Sequence, residues 1–285
     1  MSFDTTRLVN QVTIKGSLPD GRFSTQEILD LAYDVLLSEI MPMVLGAREE
    51  YMVSYKDIPI VAGQAAYEIP TRALNGVLRE VKIIEGSDVV DLERIVIEDV
   101  QTTSVNKPES FYISGSDVNL YPTPSSTQYT LRLYYFIRPS RLVPVSECAR
   151  ITAISGNEVT LSIPSGWLNT DTFDLVKGRA YFSTLGIDLT ASSVAGGVIT
   201  FDQDIPASLV VGDYVTLAEE TCFPYLPPEG HVALIQATVT AALESMGDPN
   251  ATGSAQKAEM LKGVFAQVLG TRVQGEQIKP FTPLI

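Results

Sequence analysis

Histidine is almost missing from this chain: its 285 residues include one, His231. Catalysis or metal binding built on several imidazoles is therefore excluded. His231 follows Pro227-Pro228-Glu229-Gly230 and reads as a hydrogen-bonded residue at a helix start. Cysteine is nearly as scarce. Cys148 and Cys222 allow at most one disulfide and lack the Cys-x-x-Cys spacing of zinc and redox motifs. With no apolar signal stretch in the first ten residues, they are expected to be structural thiols in a protein made in a reducing compartment. Neither Gly-x-x-x-x-Gly-Lys-Ser/Thr nor Gly-x-Gly-x-x-Gly occurs, so phosphate cradling by a nucleotide loop has no candidate. Asp202-Gln203-Asp204 lacks the glycine and distal glutamate of a calcium loop, and two acids so spaced at a strand edge are ordinarily solvated. Asp30, Asp34 and Glu39 interrupt the first helical run, which leaves no stretch of the roughly 20 apolar residues that a membrane helix needs. No catalytic residue, cofactor or metal ligand is assigned, no membrane insertion is expected, and the protein is read as a non-enzyme.

Positive charge is also short: 20 Lys and Arg against 34 Asp and Glu give a formal net charge of −14 and a pI near 4.5. Tight binding to nucleic acid, which draws on Lys and Arg at phosphates, is thereby disfavoured. The acidity serves solubility, and it also suits a channel wall to which a polyanion does not adhere. At 45% hydrophobic residues the chain has material for one large or two ordinary domains.

What is abundant is strand signal. Residues 67–73, 111–122 and 129–136 alternate apolar and polar side chains at period two, with Gly, Pro, Asn and Asp at the turns, so 51–143 reads as an antiparallel β-region. Before it, residues 1–22 show no sustained period and are broken by Gly16, Pro19 and Gly21, which predicts an extended arm or a loosely ordered lead-in. Ser24-Thr25-Gln26-Glu27 has the form of a capping box. Ile28, Leu31, Ala32, Val35, Leu36, Ile40 and Met43 continue from it as one helical stripe, with Pro42 expected to kink or end the helix. Proline clusters at 139–144 and 223–228 bracket a second β-unit with a hairpin at Ser155-Gly156-Asn157, read as a small barrel or sandwich. Two helices follow, one carrying Val232, Ile235, Val239 and Leu243, the other Ala258, Leu261, Val264, Phe265 and Val268. A single helical turn is expected within 97–103.

The predicted fold class is α+β: a helical bundle of the N- and C-terminal helices, an antiparallel β-region, and a second small β-barrel or sandwich inserted between. The expected division is an arm at 1–24, a body at 25–147 and 221–275, an inserted β-domain at 148–220, and a tail at 276–285. In strand 129–136, Thr130, Arg132, Tyr134 and Phe136 share the face opposite Tyr129, Leu131, Leu133 and Tyr135, and both faces carry apolar area. Such a strand is expected to be covered on both sides, by the helices and by either the second β-unit or a neighbouring subunit, which makes Arg132, Tyr134 and Phe136, with Tyr112 and Tyr121, candidates for a contact between subunits. Trp167, in Pro164-Ser165-Gly166-Trp167, is a candidate for a distal contact. The prolines at 280 and 283 preclude a helix in the tail, and its apolar residues mark it as a segment that docks into a partner or folds back onto its own subunit.

Several of these segments together resemble the head-to-tail adaptor (connector) proteins of tailed bacteriophages. The likeness lies in Tyr67-x-Ile69-Pro70-x-Arg72-Ala73 with Gly76-x-Leu78-Arg79-x-Val81, then Phe111-Tyr112-Ile113-x-Gly115, Leu120-Tyr121-Pro122-x-Pro124 and Tyr129-x-Leu131-x-Leu133-x-Tyr135. It covers 25–143 and 228–285, with 148–220 as an elaboration. The resemblance implies a structural virion protein made in the host cytoplasm and placed at the head-tail junction as a homo-oligomeric ring, commonly of twelve copies. Such a ring sits beneath the portal protein and meets a downstream tail or nozzle protein, while DNA passes through without specific binding. Ile278, Lys279, Pro280, Phe281, Thr282, Pro283, Leu284 and Ile285 would be the portal-docking tail. The alternative reading is a carbohydrate- or receptor-binding β-module of a virion or surface structure, and an acid-dependent hydrolase is the weakest.

Overall fold

The structure, a computed structural model, describes residues 3–47, 52–96, 107–162, 164, 166–178 and 184–269. The expected turn at 97–103 and the tail at 276–285 lie outside them. By its internal contacts the chain divides into one unit of Met1–Arg48 with Pro139–Ile285 and a second of Glu49–Arg138.

In the first unit, the lead-in expected to be extended or loosely ordered is helical instead. Asp4 accepts the Arg7 amide at 2.9 Å and caps helix α1, Thr5–Gly16, which buries Leu8 and Val12. Only two large apolar side chains one turn apart face inward, too sparse a period to register as helical, and the breaks at Pro19 and Gly21 lie beyond its end. Helix α2, Thr25–Val35, starts at the expected capping box: the Ser24 amide donates to Glu27 Oε2 at 2.6 Å, and the Glu27 amide to Ser24 Oγ at 3.2 Å. Pro42 neither ends the helix nor breaks it. A π-turn at Leu36–Ile40, in which the Met41 amide reaches back to the Leu36 carbonyl, carries the chain into α3, Met41–Ala47. The wider turn adds one residue to the cycle, so Met41 and Val44 are buried beyond it while Met43 is only half-buried.

The second unit holds β1 (Val53–Pro59), β2 (Ala66–Glu68), β3 (Ala73–Glu85), β4 (Asp88–Asp91), β5 (Glu93–Arg94), β6 (Ser110–Ser114), β7 (Asp117–Tyr121) and β8 (Thr130–Ile137). They form two sheets in the orders β1-β8-β3-β4 and β2-β7-β6-β5. All pairs are antiparallel except β5 with β6. The turns fall as expected, with Glu85 opposite Asp88 and Ser114 opposite Asp117. Tyr67, Val81, Ile83, Val118, Leu120, Leu131, Leu133 and Tyr135 join the two sheets in one core.

Back in the first unit, β9 (Arg141–Leu142) leads to β10 (Ala149–Ser155), β11 (Glu158–Leu161), β12 (Thr172–Val176), β13 (Thr184–Ala195), β14 (Val198–Phe201), β15 (Tyr214–Leu217) and β16 (Glu220–Thr221). Strands β10-β11-β14-β13-β12-β15 close into a barrel around Ile151, Val159, Phe173, Leu175, Ile199, Phe201 and Val215. Of the two shapes read from the sequence, the barrel is the one formed. Helices α4 (Pro228–Met246) and α5 (Ala251–Val268) complete the unit, and α4 packs against α1, α2 and α5. Instead of one apolar stripe, α4 is buried on most sides. Thr238 and Thr240 hide their hydroxyls on the carbonyls of Leu234 and Gln236, four residues back. In α5 only Ala258 and Phe265 of the expected stripe are fully buried. The protein is thus a mixed α+β fold whose first unit contains a closed six-stranded barrel. Among the described residues no helix is long and apolar enough to cross a membrane.

Candidate docking surfaces

Alternation along β8 sends Leu131, Leu133 and Tyr135 into the core and leaves Arg132, Tyr134 and Phe136 half-buried on the outer face of their sheet. Cross-strand register then sets their neighbours. Tyr55 lies opposite Tyr134 and Asp57 opposite Arg132, while Lys82 of β3 faces Arg132 from the other side and Asp91 of β4 faces Lys82. Arg132 grips Asp57 with two hydrogen bonds, Nε to Oδ1 at 2.6 Å and Nη2 to Oδ2 at 2.7 Å, and its guanidinium lies 4.3 Å from the Tyr55 ring centre. The Asp57 carboxylate pushes the Arg132 pKa upward. Lys82 bonds Asp91 at 2.9 Å and Glu80 at 3.0 Å, which raises its pKa, and its ammonium sits 5.5 Å from the Tyr134 ring centre. The outer face is therefore a lattice of paired charges and aromatic rings, ordered before any partner arrives.

Tyr112 and Tyr121 are not part of that face. They are half-buried on the outer side of the other sheet, since the inward positions of β6 and β7 belong to Phe111, Val118 and Leu120. The five residues proposed as one subunit contact therefore occupy two sheets. Where the two sheets approach on the β4 and β5 side, Leu78, Arg79, Lys82, Arg94, Phe111 and Ile113 help line a groove of about 570 Å³. Trp167 is half-buried, its ring 5.3 Å from Phe173 of the barrel core. The tail residues Ile278 to Ile285 lie outside the described residues.

His231 has the helix-end role read from the sequence. Its Nε2 lies 3.1 Å from the Leu226 carbonyl oxygen, Phe3 stacks on the ring at 4.0 Å, and burial pushes its pKa down to about 4. Cys148 and Cys222 are buried free thiols in one cluster with Val143, Val176 and Phe223. A hydrogen bond with Cys222, reinforced by burial, pushes the Cys148 pKa upward, away from thiolate chemistry.

Sequence reading missed two fully buried carboxylates in the barrel. Asp174 accepts the amides of Asp188 at 3.0 Å and Glu219 at 3.3 Å, and Asp213 those of Gly178 at 3.1 Å and Val210 at 3.0 Å. Asp188 and Glu219 both have positive φ, 53° and 65°, so Asp174 ties down two left-handed turns. In sequence Asp174 carries no motif and Gly212-Asp213 reads only as a turn. The Val210 amide is a local turn contact, three residues from Asp213, whereas the amides of Asp188, Glu219 and Gly178 reach their aspartates only through the fold of the barrel.

Paired charges, half-buried aromatic rings and carboxylates committed to backbone amides are what the fold brings together at these positions. A profile of the SU10 adaptor protein family matches residues 8–183, more than half of the chain. The chain belongs to that family and is a phage adaptor protein, a component of the virion. No curated protein matches it.

Proposed function

We propose that this adaptor forms a ring beneath the portal, joins the capsid to the tail and surrounds the channel through which DNA leaves. The observation that carries the reading is the family match over 8–183. The net charge of −14 supports a channel to which DNA does not adhere, and no step requires catalysis. In this reading α1, α2, α4 and α5 act as one helical bundle. The barrel, as an insertion at 148–220, presents the Trp167 loop to a downstream tail or nozzle protein, and residues 276–285 dock into the portal. Burial of Phe281, Leu284 and Ile285 would contribute about 1.5–3 kcal/mol each before ordering costs, which the prolines reduce. Repetition around a ring of twelve turns a modest gain per copy into firm attachment. The carbohydrate-binding alternative has less support, because Arg132 and Lys82 already sit over the Tyr55 and Tyr134 rings.

Truncation after Gly275 tests the docking. The expected result is an unchanged melting temperature with loss of portal binding in co-sedimentation. A destabilised subunit that still binds the portal would overturn it.

A further inference from the structure

We propose that sheet β1-β8-β3-β4 continues from one copy into the next, with β4 of one subunit pairing antiparallel to β1 of its neighbour. The proposal rests on the ring reading and names the contact that would build it. Among the described residues, β1 and β4 are the two edges of this sheet, each hydrogen-bonded on one side only. Every residue of β4 is exposed, Val89 at 54% and Val90 at 42%, and β1 exposes Tyr55 at 53% together with Lys56 and Asp57. An apolar edge left open invites another strand, and native proteins guard or cover such edges. Because the two edges are different surfaces, their contact is heterologous, and such contacts generate rings when the rotation between copies closes.

Topology fixes the direction. Neighbours in this sheet are antiparallel throughout, so β1 and β3 run one way and β8 and β4 the other. A neighbour related by a modest rotation about the ring axis therefore brings its β1 antiparallel to β4. Side chains fix the register. Tyr55 lies on the outer face opposite Tyr134, and Val89 lies on the same face through Ile84 and Thr130. Setting Lys56 opposite Asp88 places Tyr55 opposite Val89 in the same register, an opposite-charge pair beside an apolar one. A slip by two residues puts Lys56 against Val90 or against the turn at Gly86 and loses the charge pair, and a slip by one mismatches the faces. Among the described ion pairs neither Lys56 nor Asp88 takes part, and Lys107, whose charge Asp88 feels, is itself bound to Glu85 at 2.6 Å.

The test is covalent capture in the full chain. In a variant with both Tyr55→Cys and Val89→Cys, the two positions within one subunit are separated by three strand spacings, about 14 Å, twice the reach of a disulfide. Mild oxidation should then give a ladder of covalent multimers on a non-reducing gel, and neither single variant should give one. Lys56→Asp and Asp88→Lys should each reduce assembly in sedimentation velocity about tenfold, and the two together should restore it. Rings that form without cross-linking, or that tolerate both single charge reversals, would overturn the edge pairing and leave the ring reading standing. A chain that stays monomeric even with the portal present would overturn both.

Discussion

Gly230, in the first turn of α4, is the point at which one extra carbon should do most harm. A β-carbon there would lie 2.6 Å from Cζ of Phe265 and 3.0 Å from Cε1 and Cε2. Phe265 is 2% exposed, and it presses the tip of its ring onto the α4 backbone. The local conformation is helical, so Gly230→Ala gains up to about 1 kcal/mol of helix propensity. Overpacking against a ring with no free space costs about 1–3 kcal/mol, and the steric cost wins. Net of the propensity gain the expected loss is up to about 2 kcal/mol, a fall in melting temperature of up to about 8 °C at the 2–4 °C per kcal/mol typical of a unit this size. Thermal melts followed by helical circular dichroism give the number. Phe265→Leu supplies the control: destabilising alone, it shortens the ring that clashes, so alanine at 230 should cost little in its presence. A Gly230→Ala protein that melts higher than the parent would refute the close-packing argument.

The remaining predictions concern protons and thiols. His231 has a folded pKa of about 4 against an ordinary 6.5, so the unfolded chain takes up the proton first. Its contribution is complete above pH 6.5 and is lost as pH falls through 4, about 1–2 kcal/mol after discounting for partial exposure. Urea midpoints between pH 7 and 4 should therefore fall more for the parent than for His231→Gln, and parallel curves would contradict this. The melting temperature of the parent should not depend on reductant, because Cys148 and Cys222 are free thiols. Cys148→Ser with Cys222→Ser should assemble normally at a cost of about 1–2 kcal/mol for hydroxyls in an apolar cluster. Unfolding specific to reducing conditions would show that a disulfide is needed.

Legibility followed the range of the interactions. The capping box at Ser24 and Glu27 and the turns at Gly86, Gly115 and Gly156 are local chemistry, and they stand where their residues predict. The face of β8 was readable for the same reason, since alternation needs no knowledge of the partner strand. Register was not. Nothing near Arg132 in sequence points to Asp57 and Tyr55, which come from a strand 75 residues earlier. Helix α1 escaped because tertiary contacts made by two residues stabilise it, and the far end of the second helical run was misphased because a π-turn shifts the stripe by one position. The separation of Tyr112 and Tyr121 from Arg132 was equally hidden, because pattern alone does not assign strands to sheets.

Strands β9 and β16 pair in parallel where the chain enters and leaves the barrel. Glu220 stands opposite Arg141 and Thr221 opposite Leu142, with the chain entering the barrel after one strand and leaving it before the other. The Thr5 hydroxyl donates to the Val143 carbonyl at 2.8 Å, and the Thr5 amide to the Cys222 carbonyl at 2.9 Å, so the start of α1 is fastened to both crossings. Two chain crossings held side by side, about 5 Å apart, form a socket. The barrel's entry and exit are thereby held to the start of α1, so loss of the Thr5 hydroxyl frees the Val143 crossing and leaves the amide tie at Cys222 in place.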